Sequence, residues 1–488
     1  MPREPEHDQA DPPRPGPGCL EIGPPGSGST LRRGPVPLSP RELIRAQPGH
    51  RFPPGATRVK IALFTSHFPP QFTGGTEQVA LAQALALTRR GHQVHIVSGS
   101  DEVHDGRDVV RTKVQGLDVA FVPRLHSEPM DLAQSWPRVL DLAEREVQGA
   151  DLIIVHHQAT LGSGLVRRLR ASAPVMLWLH DHHATCPRSF RQAPSPSITC
   201  PSREDVARIG HKACADCLAP LKADSDPYRM ALAVAARQRA FQAEVDAATR
   251  VLVPSRTHLV RLSQFLDFGP GQVKILEPGL CMELPDVRRK PRLWKGDGPL
   301  RILHLGRRSV EKGSLDLAQA VGRMPAGRVQ LVFAGGSEKG LDTVLKEAAG
   351  VNEVEWHGTY DPAQLAAIAA TCHVVALPSR LSESYSLCVD EALALGLPVW
   401  ASGAEAARER YGALGLHILP AGEPDVWAAA FTELIRNPAQ VQAHMLDLPE
   451  NIPTCQRSSE TLERWGQELV RQFRDQPISA SNDHRRLA

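Results

Sequence analysis

Short apolar runs alternate with helix-forming stretches along most of this 488-residue chain. The run VKIALF at residues 59–64 is typical of a buried strand. The stretch EQVALAQALALTRRGH at residues 77–92 is typical of a helix, with two arginines in its last turn and a glycine at its end. Strands that alternate with helices predict βαβ units and a parallel sheet. This alternation constrains the fold more than any other feature of the sequence.

The alternation occurs in two series, separated by the basic stretch RRKPRLWKGDGPL at residues 288–300. The first series continues with HQVHIVSG, DLIIVHH, PVMLWLHD and RVLVPS, and the second comprises LRILHLG, VQLVFAGG, VEWHG, HVVALPS, LPVWASG and LHILP. Because the chain is too long for one typical core, we predict α/β domains at 58–287 and 301–456. Residues 288–300 are the predicted linker and 457–475 a last helix. Ligands of open α/β sheets bind at the carboxyl edge of the strands, so we expect a cleft between the domains.

The ends of the chain and its overall charge exclude several classes of protein. Residues 1–57 contain 14 of the 42 prolines, which predicts a disordered tail, with a docking arm as the alternative, and 476–488 form a second, polar tail. The N-terminal stretch has no apolar segment like that of an export signal, which predicts a cytoplasmic protein. No run of about 18 uncharged apolar residues predicts a membrane-spanning helix. A formal net charge of +2 does not favour nucleic acid as a partner.

Two loops are candidates for binding an anionic ligand. The stretch QFTGGTEQ places Gly74 and Gly75 between a strand and a helix, where the backbone approaches a ligand closely; the alternative is an ordinary turn. The stretch GRRSVEKG places Arg307 and Lys312 in a loop between a strand and a helix. Two cations there suit a diphosphate, and the alternative is a solvated basic turn.

The most informative stretch is SRLSESYSLCVDEALALGLPV at residues 379–399. It predicts a helix that begins near residues 384–386 and ends at the sequence Gly-Leu-Pro. Glu383 lies just before this helix and Glu391 lies inside it. Eight helical residues span about 12 Å, so these two carboxylates are too far apart to share a proton. We expect them to hold opposite parts of an extended ligand, with a phosphate at the helix N-terminus between them.

These stretches, together with the pair His180–Asp181, occur in the order found in the retaining glycosyltransferases of family 4, which the chain resembles from about residue 58 to 474. The resemblance implies the GT-B fold, an α/β architecture with two Rossmann-like domains that face a central cleft. It also implies transfer of a sugar from a nucleotide-sugar donor to an acceptor, with retention of the anomeric configuration. No Asp-x-Asp stretch is present, and we expect no cofactor for catalysis.

The resemblance also implies roles for individual residues. Arg307 and Lys312 would neutralise the diphosphate, whose charge grows in the transition state. Glu383 would lie beside the transferred sugar, Glu391 would hold the ribose, and His180 would line the cleft near the sugar. The catalytic candidates are therefore His180, Arg307, Lys312 and Glu383. The donor-binding candidates, besides Arg307 and Lys312, are Gly74, Gly75, Ser384, Tyr385, Ser386 and Glu391. The family often has Gly where this chain has Ser386, and a side chain there narrows the donor pocket.

The acceptor is left open as a saccharide, a lipid-linked molecule or a protein. A lipid-linked acceptor would bring the protein into peripheral contact with a membrane.

Three other functions remain as alternatives. The first is a catalytically silent scaffold whose cysteine insertion binds a partner, and the second is a sugar-nucleotide epimerase of the same fold. The third is a nucleic-acid-binding metal module, which the mixed charges of residues 201–245 disfavour.

A polar insertion at residues 182–220 carries four of the nine cysteines in the spacing C-x13-C-x13-C-x2-C. These cysteines are Cys186, Cys200, Cys214 and Cys217. Four thiolates can bind zinc tetrahedrally, whereas a proline after each of the first two resembles some ligands of [4Fe–4S] clusters. A site without metal is the third alternative. The nearby residues that could replace a cysteine ligand are His182, His183 and His211. We expect Cys388 in the core side of the helix that bears Glu391.

Overall fold

We analysed a computed structural model of the chain. The structure describes residues 58–102, 104, 108–123, 136–191, 200–219, 226–285 and 294–475. The predicted tails at 1–57 and 476–488 and the first part of the predicted linker lie outside the described residues.

The first domain is built on an eight-stranded sheet in the part of the chain that the structure describes. Its strands are β1 (Lys60–Thr65), β2 (Gln93–Ser100), β3 (Val110–Val114), β4 (Leu117–Pro123), β5 (Leu152–Val155), β6 (Val175–Trp178), β7 (Arg250–Val253) and β8 (Val273–Ile275). The strand order is β3-β4-β2-β1-β5-β6-β7-β8, and only β3 runs antiparallel to its neighbour. All four residues of β5 and of β6 are buried, as expected for parallel strands covered on both faces.

The second domain is built on a six-stranded sheet whose described pairings are all parallel. Its strands are β9 (Leu300–Leu305), β10 (Val329–Ala334), β11 (Glu353–His357), β12 (Val374–Leu377), β13 (Val399–Ala401) and β14 (Leu416–Ile418). The order β11-β10-β9-β12-β13-β14 reverses direction between β9 and β12. Loops that follow these two strands therefore open a crevice at the carboxyl edge of the sheet.

Helices cover the faces of both sheets. Those of the first domain are α1 (Gly75–Arg89), α2 (Pro137–Arg145), α3 (Leu165–Leu169), α4 (Arg203–Ile209), α5 (Lys212–Leu218), α6 (Pro227–Ala247) and α7 (Arg256–Leu262). Those that follow are α8 (Ser314–Gly322), α9 (Leu341–Ala348), α10 (Pro362–Ala369), α11 (Leu387–Ala394), α12 (Glu405–Tyr411), α13 (Pro424–Arg436), α14 (Pro438–Leu446) and α15 (Cys455–Asp475). Within the described ranges, no helix is both long and apolar enough to cross a membrane.

The last helix, α15, returns to the first domain and packs against α1. Its residues Leu462 and Leu469 belong to the same buried cluster as Leu63 in β1. Gly466 allows the close approach, because a Cβ atom there would lie 2.6 Å from the side chain of Leu152. The second domain is therefore inserted, in sequence, between parts of the first.

The two connections between the domains lie side by side. The amide of Leu280 donates to the carbonyl of Pro453 at 2.8 Å, and the amide of Cys455 donates to the carbonyl of Leu280 at 3.1 Å. Gly279 has a φ of +73°, and a Cβ atom there would lie 2.4 Å from the backbone of Thr454. Only glycine fits both the conformation and the space at this crossing.

The second domain begins inside the predicted linker 288–300. Trp294 is buried in the core of that domain and stacks on His373, with ring centroids 5.3 Å apart. The late part of the predicted linker is therefore part of the second domain's packing.

A carboxylate of the second domain caps a helix of the first. Glu409 in α12 accepts hydrogen bonds from the amides of Arg256 and Thr257, at 2.9 and 2.7 Å, and from the Thr257 hydroxyl at 2.8 Å. These amides begin α7, where backbone N–H groups have no partner within the helix and the helix dipole favours a negative charge. A second contact joins Arg261 and Glu405 at 3.0 Å. The capping interaction fixes the relative position of the two domains near the cleft.

We predict that Glu409→Ala lowers the free energy of unfolding by about 1 kcal/mol, the usual cost of losing a helix cap. The matched control is Glu405→Ala, which removes only an exposed ion pair and should cost clearly less. Urea unfolding measures the stabilities, and small-angle X-ray scattering should show a larger radius of gyration for Glu409→Ala alone. Equal effects of the two substitutions would contradict the capping role.

Candidate active site

A cleft of about 1030 Å³ lies between the two domains. The loops that line it follow the carboxyl ends of strands in both sheets. All of the predicted catalytic and donor-binding residues line this single cleft: Gly74, Gly75, His180, Arg307, Lys312, Glu383, Ser384, Tyr385, Ser386 and Glu391. The structure thus brings together side chains that are separated by more than 300 positions in the sequence.

Lys312 and Glu383 form an ion pair in the cleft. Lys312 Nζ lies 2.7 Å from Glu383 Oε1, which also accepts a hydrogen bond from the hydroxyl of Ser379 at 2.7 Å. Burial disfavours both charges, but the ion pair outweighs it, so the pKa of Lys312 is raised and the pKa of Glu383 is lowered. Both groups are therefore ionised at neutral pH.

Glu391 is buried without a cationic partner at ion-pair distance among the described residues. Burial, and then the nearby charge of Asp390, raise the pKa of Glu391 to about 7. Its Oε2 atom has no hydrogen-bond partner in the part of the chain that the structure describes. A buried acceptor atom without a partner is costly, and a ligand that donates hydrogen bonds would satisfy it. Cys388 packs against the core of the second domain, as expected, and it also lines the cleft beside this carboxyl group.

The helix that bears Glu391 begins one residue later than the predicted region, at Leu387. Ser386 at its N-cap has φ +71° and ψ +78°, and its side chain makes no capping hydrogen bond. Left-handed backbone conformations favour glycine, so the backbone at Ser386 is strained.

Tyr385 lines the cleft, but its hydroxyl group is directed to a buried network. It donates to Asp390 Oδ2 at 2.7 Å and accepts from the amide of Gly279 at 3.2 Å. Arg410 and the hydroxyl of Tyr411 both donate to the other oxygen of Asp390. The network ties the beginning of α11 to the crossing between the domains, so Tyr385 orients the site as well as lining it.

Ser384 connects the loop before α11 to the first domain. Its hydroxyl group donates to the carbonyl of His180, and the hydroxyl group of Ser255 donates to the carbonyl of Ser384 at 2.8 Å. The residue next to Glu383 is therefore held from the opposite side of the cleft.

His180 lies in a stack of three rings. Its centroid is 4.7 Å from that of Trp178 and 5.1 Å from that of His156, and its Nε2 lies 2.9 Å from Nδ1 of His156. Burial, and then the neighbouring His156, hold the pKa of His180 well below its usual value. The imidazole is therefore neutral at physiological pH, and it can exchange hydrogen bonds with a ligand without adding charge.

Three ionisable residues on the same wall of the cleft region, His157, Asp181 and Glu77, were not among the predicted site residues. His157 Nε2 lies 3.5 Å from Asp181 Oδ2, and Asp181 raises the pKa of His157 in spite of burial. The pKa of Asp181 is in turn held below its usual value, again against the effect of burial. The charge of Glu77 in α1 interacts with that of His157. The sequence shows that His156-His157 and His180-Asp181 follow two predicted strands, but only the structure shows that these strands, β5 and β6, are parallel neighbours.

Arg307 is the most exposed of the predicted site residues in the second domain. Its side chain is 62% exposed and lies 3.7 Å from Glu338. Gly74 is confined by the fold, because a Cβ atom there would lie 2.7 Å from the carboxylate of Glu77. Exposed Arg307 of the second domain and closely packed Gly74 of the first domain thus line the cleft from opposite sides.

The four cysteines of the insertion lie around a second cavity. Cys186, Cys200, Cys214 and Cys217 line one cavity of about 30 Å³, together with Arg188 and Arg191. The substitute ligands lie elsewhere: His182 packs edge-on against His258, and His183 against Phe241. His211 precedes α5 as its N-cap.

Comparison with known proteins identifies related sequences. Residues 73–283 match the family model described as Glycosyltransferase Family 4, and residues 299–437 match the model described as Glycosyl transferases group 1. A phosphatidyl-myo-inositol mannosyltransferase from Mycobacterium leprae is 34% identical over 160 residues. That match covers 31% of this chain and 40% of the relative.

Solved structures share the fold at low sequence identity. Sucrose-phosphate synthase from Thermosynechococcus elongatus has a TM-score of 0.59 at 18% identity and covers 85% of this chain and 97% of its own. The glycosyltransferase WaaG, involved in lipopolysaccharide biosynthesis, has a TM-score of 0.56 at 14% identity, with 85% and 100% covered. Anabaena HepE, solved with UDP-glucose, has a TM-score of 0.53 at 17% identity, with 86% and 100% covered. These likenesses confirm the predicted arrangement of two facing domains.

We predict that Glu391 makes the stability of the protein fall as the pH rises from about 5 to 7. The pKa of this carboxyl group is higher in the folded protein than in the unfolded chain, so its contribution is greatest below the unfolded pKa and is lost through the folded pKa. The effect is on the order of 3 kcal/mol. Urea unfolding between pH 5 and 8 should show a flatter dependence for Glu391→Gln.

The control for this experiment is Glu383→Gln. The pKa of Glu383 is lowered in the folded protein, so its stabilisation is complete above the unfolded pKa and does not change between pH 5 and 8. This variant should be less stable by the same amount at every pH in that range. Parallel curves for Glu391→Gln and the unmodified protein would contradict the raised pKa.

We also predict that Ser386→Gly raises the free energy of unfolding by about 1 kcal/mol, because glycine tolerates the left-handed conformation. Ser384→Gly is the control, since it removes the hydrogen bond to His180 without a positive φ to relieve, and it should destabilise the protein. Thermal unfolding measures both. A loss of stability in Ser386→Gly would show that the serine hydroxyl group outweighs the backbone strain.

Proposed function

The chain belongs to the glycosyltransferases of family 4 and group 1 and has the GT-B fold, and on this basis we propose that it transfers a sugar from a nucleoside-diphosphate sugar with retention of configuration. The acceptor is a saccharide, a lipid-linked molecule or a protein. In the reaction the bond between the anomeric carbon and the phosphate oxygen breaks, and a bond from that carbon to an acceptor oxygen forms.

The observation that carries this proposal is the unpaired Oε2 of buried Glu391 in a cleft that also contains an ion-paired lysine. The hydroxyl group of Tyr360 and the thiol of Cys388 already donate to the carboxyl group of Glu391, but its Oε2 atom has no donor. The two hydroxyl groups of a ribose are donors of the kind that this atom lacks. Their hydrogen bonds favour the ionised form and therefore offset the cost of its burial. We assign Glu391 to the ribose of the donor.

Lys312 and Arg307 are assigned to the diphosphate. Lys312 has three donors and uses one on Glu383, which leaves donors for phosphate oxygens. Arg307 is exposed and free to turn towards a phosphate that enters the cleft. Because negative charge grows on the departing diphosphate, these cations stabilise the transition state more than the ground state.

Glu383 and His180 are assigned to the transferred sugar. Lys312 and Ser379 both contact Oε1 of Glu383, so Oε2 remains for a sugar hydroxyl group. His180 uses Nε2 on His156, so Nδ1 is the ring atom left for a ligand. The neutral imidazole adds no charge that would compete with the two cations for the diphosphate.

The proposal is tested in two steps. Thermal-shift measurements against a panel of nucleotide sugars identify the donor, since a ligand that binds only the folded state raises the melting temperature. The panel includes UDP-glucose and mannose nucleotides, because relatives carry those sugars in their names. Proton NMR then reads the anomeric configuration of the product formed with saccharide, lipid-linked or protein acceptors.

Each alternative gives a distinct result in these experiments. A product of inverted configuration would overturn retention while leaving sugar transfer intact. Conversion of the donor to another sugar nucleotide, without transfer to any acceptor, would identify an epimerase. No binding to any nucleotide sugar would support a silent scaffold.

We predict that Lys312→Ala lowers kcat by about 10²–10³-fold, corresponding to about 3–4 kcal/mol of transition-state stabilisation. Lys346→Ala, on the far helix α9, is the matched control and should leave kcat unchanged. Removal of Lys312 also leaves Glu383 without its cation, so the melting temperature is measured separately and the assay is run well below it. An unchanged kcat with a lowered melting temperature would show that Lys312 has only a structural role.

A further inference from the structure

Three separate segments bring four cysteines to one cavity. Cys186 lies in a tight turn, where its amide donates to the carbonyl of His182 at 2.8 Å. Cys200 lies just before α4, and Cys214 and Cys217 are three residues apart on α5, on one face of the helix. All four cysteines line the same cavity. The sequence spacing alone did not establish this convergence.

Among the described residues, no three His, Cys, Asp or Glu side chains already stand in the geometry of metal ligands. What favours a metal site here is the chemistry of the four thiols, the charges around them and the space that they enclose.

Arginines surround the cysteines without carboxylate partners. Arg191, which lines the cavity, donates to the carbonyls of Thr185 and Pro201 and lies 3.3 Å over the ring of Phe265. Arg237 is buried and donates to the carbonyl of His183, and its charge interacts with that of Asp181 as well as with that of Cys186. Within the described segments, no carboxylate forms an ion pair with either guanidinium.

Buried cations require a compensating negative charge. Four neutral thiols do not supply it. Four thiolates around a divalent ion carry a net charge of minus two, directly beside Arg191, which forms no ion pair with a carboxylate of the described residues. Arg191 therefore favours a metal–thiolate centre over a cluster of protonated cysteines, and this separates a metal site from the alternative without metal.

The size of the cavity separates the two metal alternatives. A space of about 10–15 Å³ holds one water molecule, so about 30 Å³ is enough for a single ion. A [4Fe–4S] cluster would place eight atoms between the same sulfur ligands, so the four thiols would have to move further apart than a single ion requires. Zn²⁺ is the ion that four thiolates bind tetrahedrally in closed, structural sites.

We propose that Cys186, Cys200, Cys214 and Cys217 bind one structural zinc ion. The protein fills all four positions around it, so the ion has no place for substrate. A short turn connects the zinc site to the wall of the cleft. In this turn the amide of His183 donates to Asp181 Oδ1 at 2.7 Å. The amide of His182 donates to the carbonyl of Ser189 at 3.3 Å. The zinc site thus positions the loop that begins at Asp181.

The first experiment measures metal in the full-length protein, purified without chelators. We expect one zinc ion per chain, no visible absorption, and no iron or acid-labile sulfide. A mercurial reagent should release the zinc as it modifies the four thiols, and a zinc-binding dye detects the release. These measurements do not depend on catalytic activity, so they stand whether or not sugar transfer is found.

Variants then place the ion. Loss of a contact outside the ligand shell weakens metal affinity by about tenfold or more. Cys214→Ser removes a ligand itself, so we expect the zinc content of this variant to fall at least about tenfold. Cys372→Ser, which changes a buried cysteine of the second domain, is the matched control and should keep its zinc. Arg191→Ala tests the charge argument and should lose zinc to a chelator faster than the unmodified protein.

If Cys214→Ser fails to fold, thiol protection in the unmodified protein decides the matter. Slow alkylation of the four cysteines, which becomes fast after a chelator is added, supports the site. Rapid alkylation in the native protein with no metal bound would overturn it. A brown protein with iron and sulfide would replace zinc with a cluster, and zinc retained by Cys214→Ser would place the ion elsewhere.

Discussion

The hydrogen bond from Ser384 to the carbonyl of His180 joins the two walls of the cleft next to the ion pair of Glu383. Both partners lie where chains leave the carboxyl ends of parallel strands, one in each sheet. The site therefore exists only when the domains stand in one relative position. Glu409, which caps the start of α7, and the paired crossings at Leu280 also hold that position, although neither residue lines the cleft.

Charge in the cleft is distributed unevenly, and this has a chemical reason. Lys312 is paired and ionised, whereas the carboxyl group of Glu391 is buried and lacks a partner for one oxygen. A cation such as Lys312 can stabilise negative charge that develops during a reaction. The oxygen of Glu391 that lacks a partner can accept a hydrogen bond from a bound ligand. Two acidic residues eight positions apart thus face opposite electrostatic environments, because only one of them lies beside a cation.

Much of the fold could be predicted because buried parallel strands are uniformly apolar, as LIIV in β5 shows. Three strands of the first domain, β3, β4 and β8, were not predicted. The central residues of β3, Arg111 to Lys113, are exposed and polar, and β8 is only three half-buried residues long. The strand β4 was missed although most of its residues are buried. The predicted site residues do line one cleft, since loops after parallel strands share an edge. The pairing of His157 with Asp181 depends on which strands are neighbours, and sequence does not give that order. The orientation of Tyr385 likewise depends on Asp390 and Gly279, which only folding brings together.

The return of α15 to the first domain has a consequence for how the chain is made. Leu462 and Leu469 complete the cluster around β1, yet the ribosome synthesises them after the entire second domain. During translation, the part of the first sheet that α15 covers stays exposed until the second domain has been synthesised. The second domain meanwhile leaves and re-enters the first at adjacent points, Leu280 and Thr454, so its two ends are already side by side. The second domain could therefore be exchanged between related proteins at these two points, because both junctions lie at one place on the first domain.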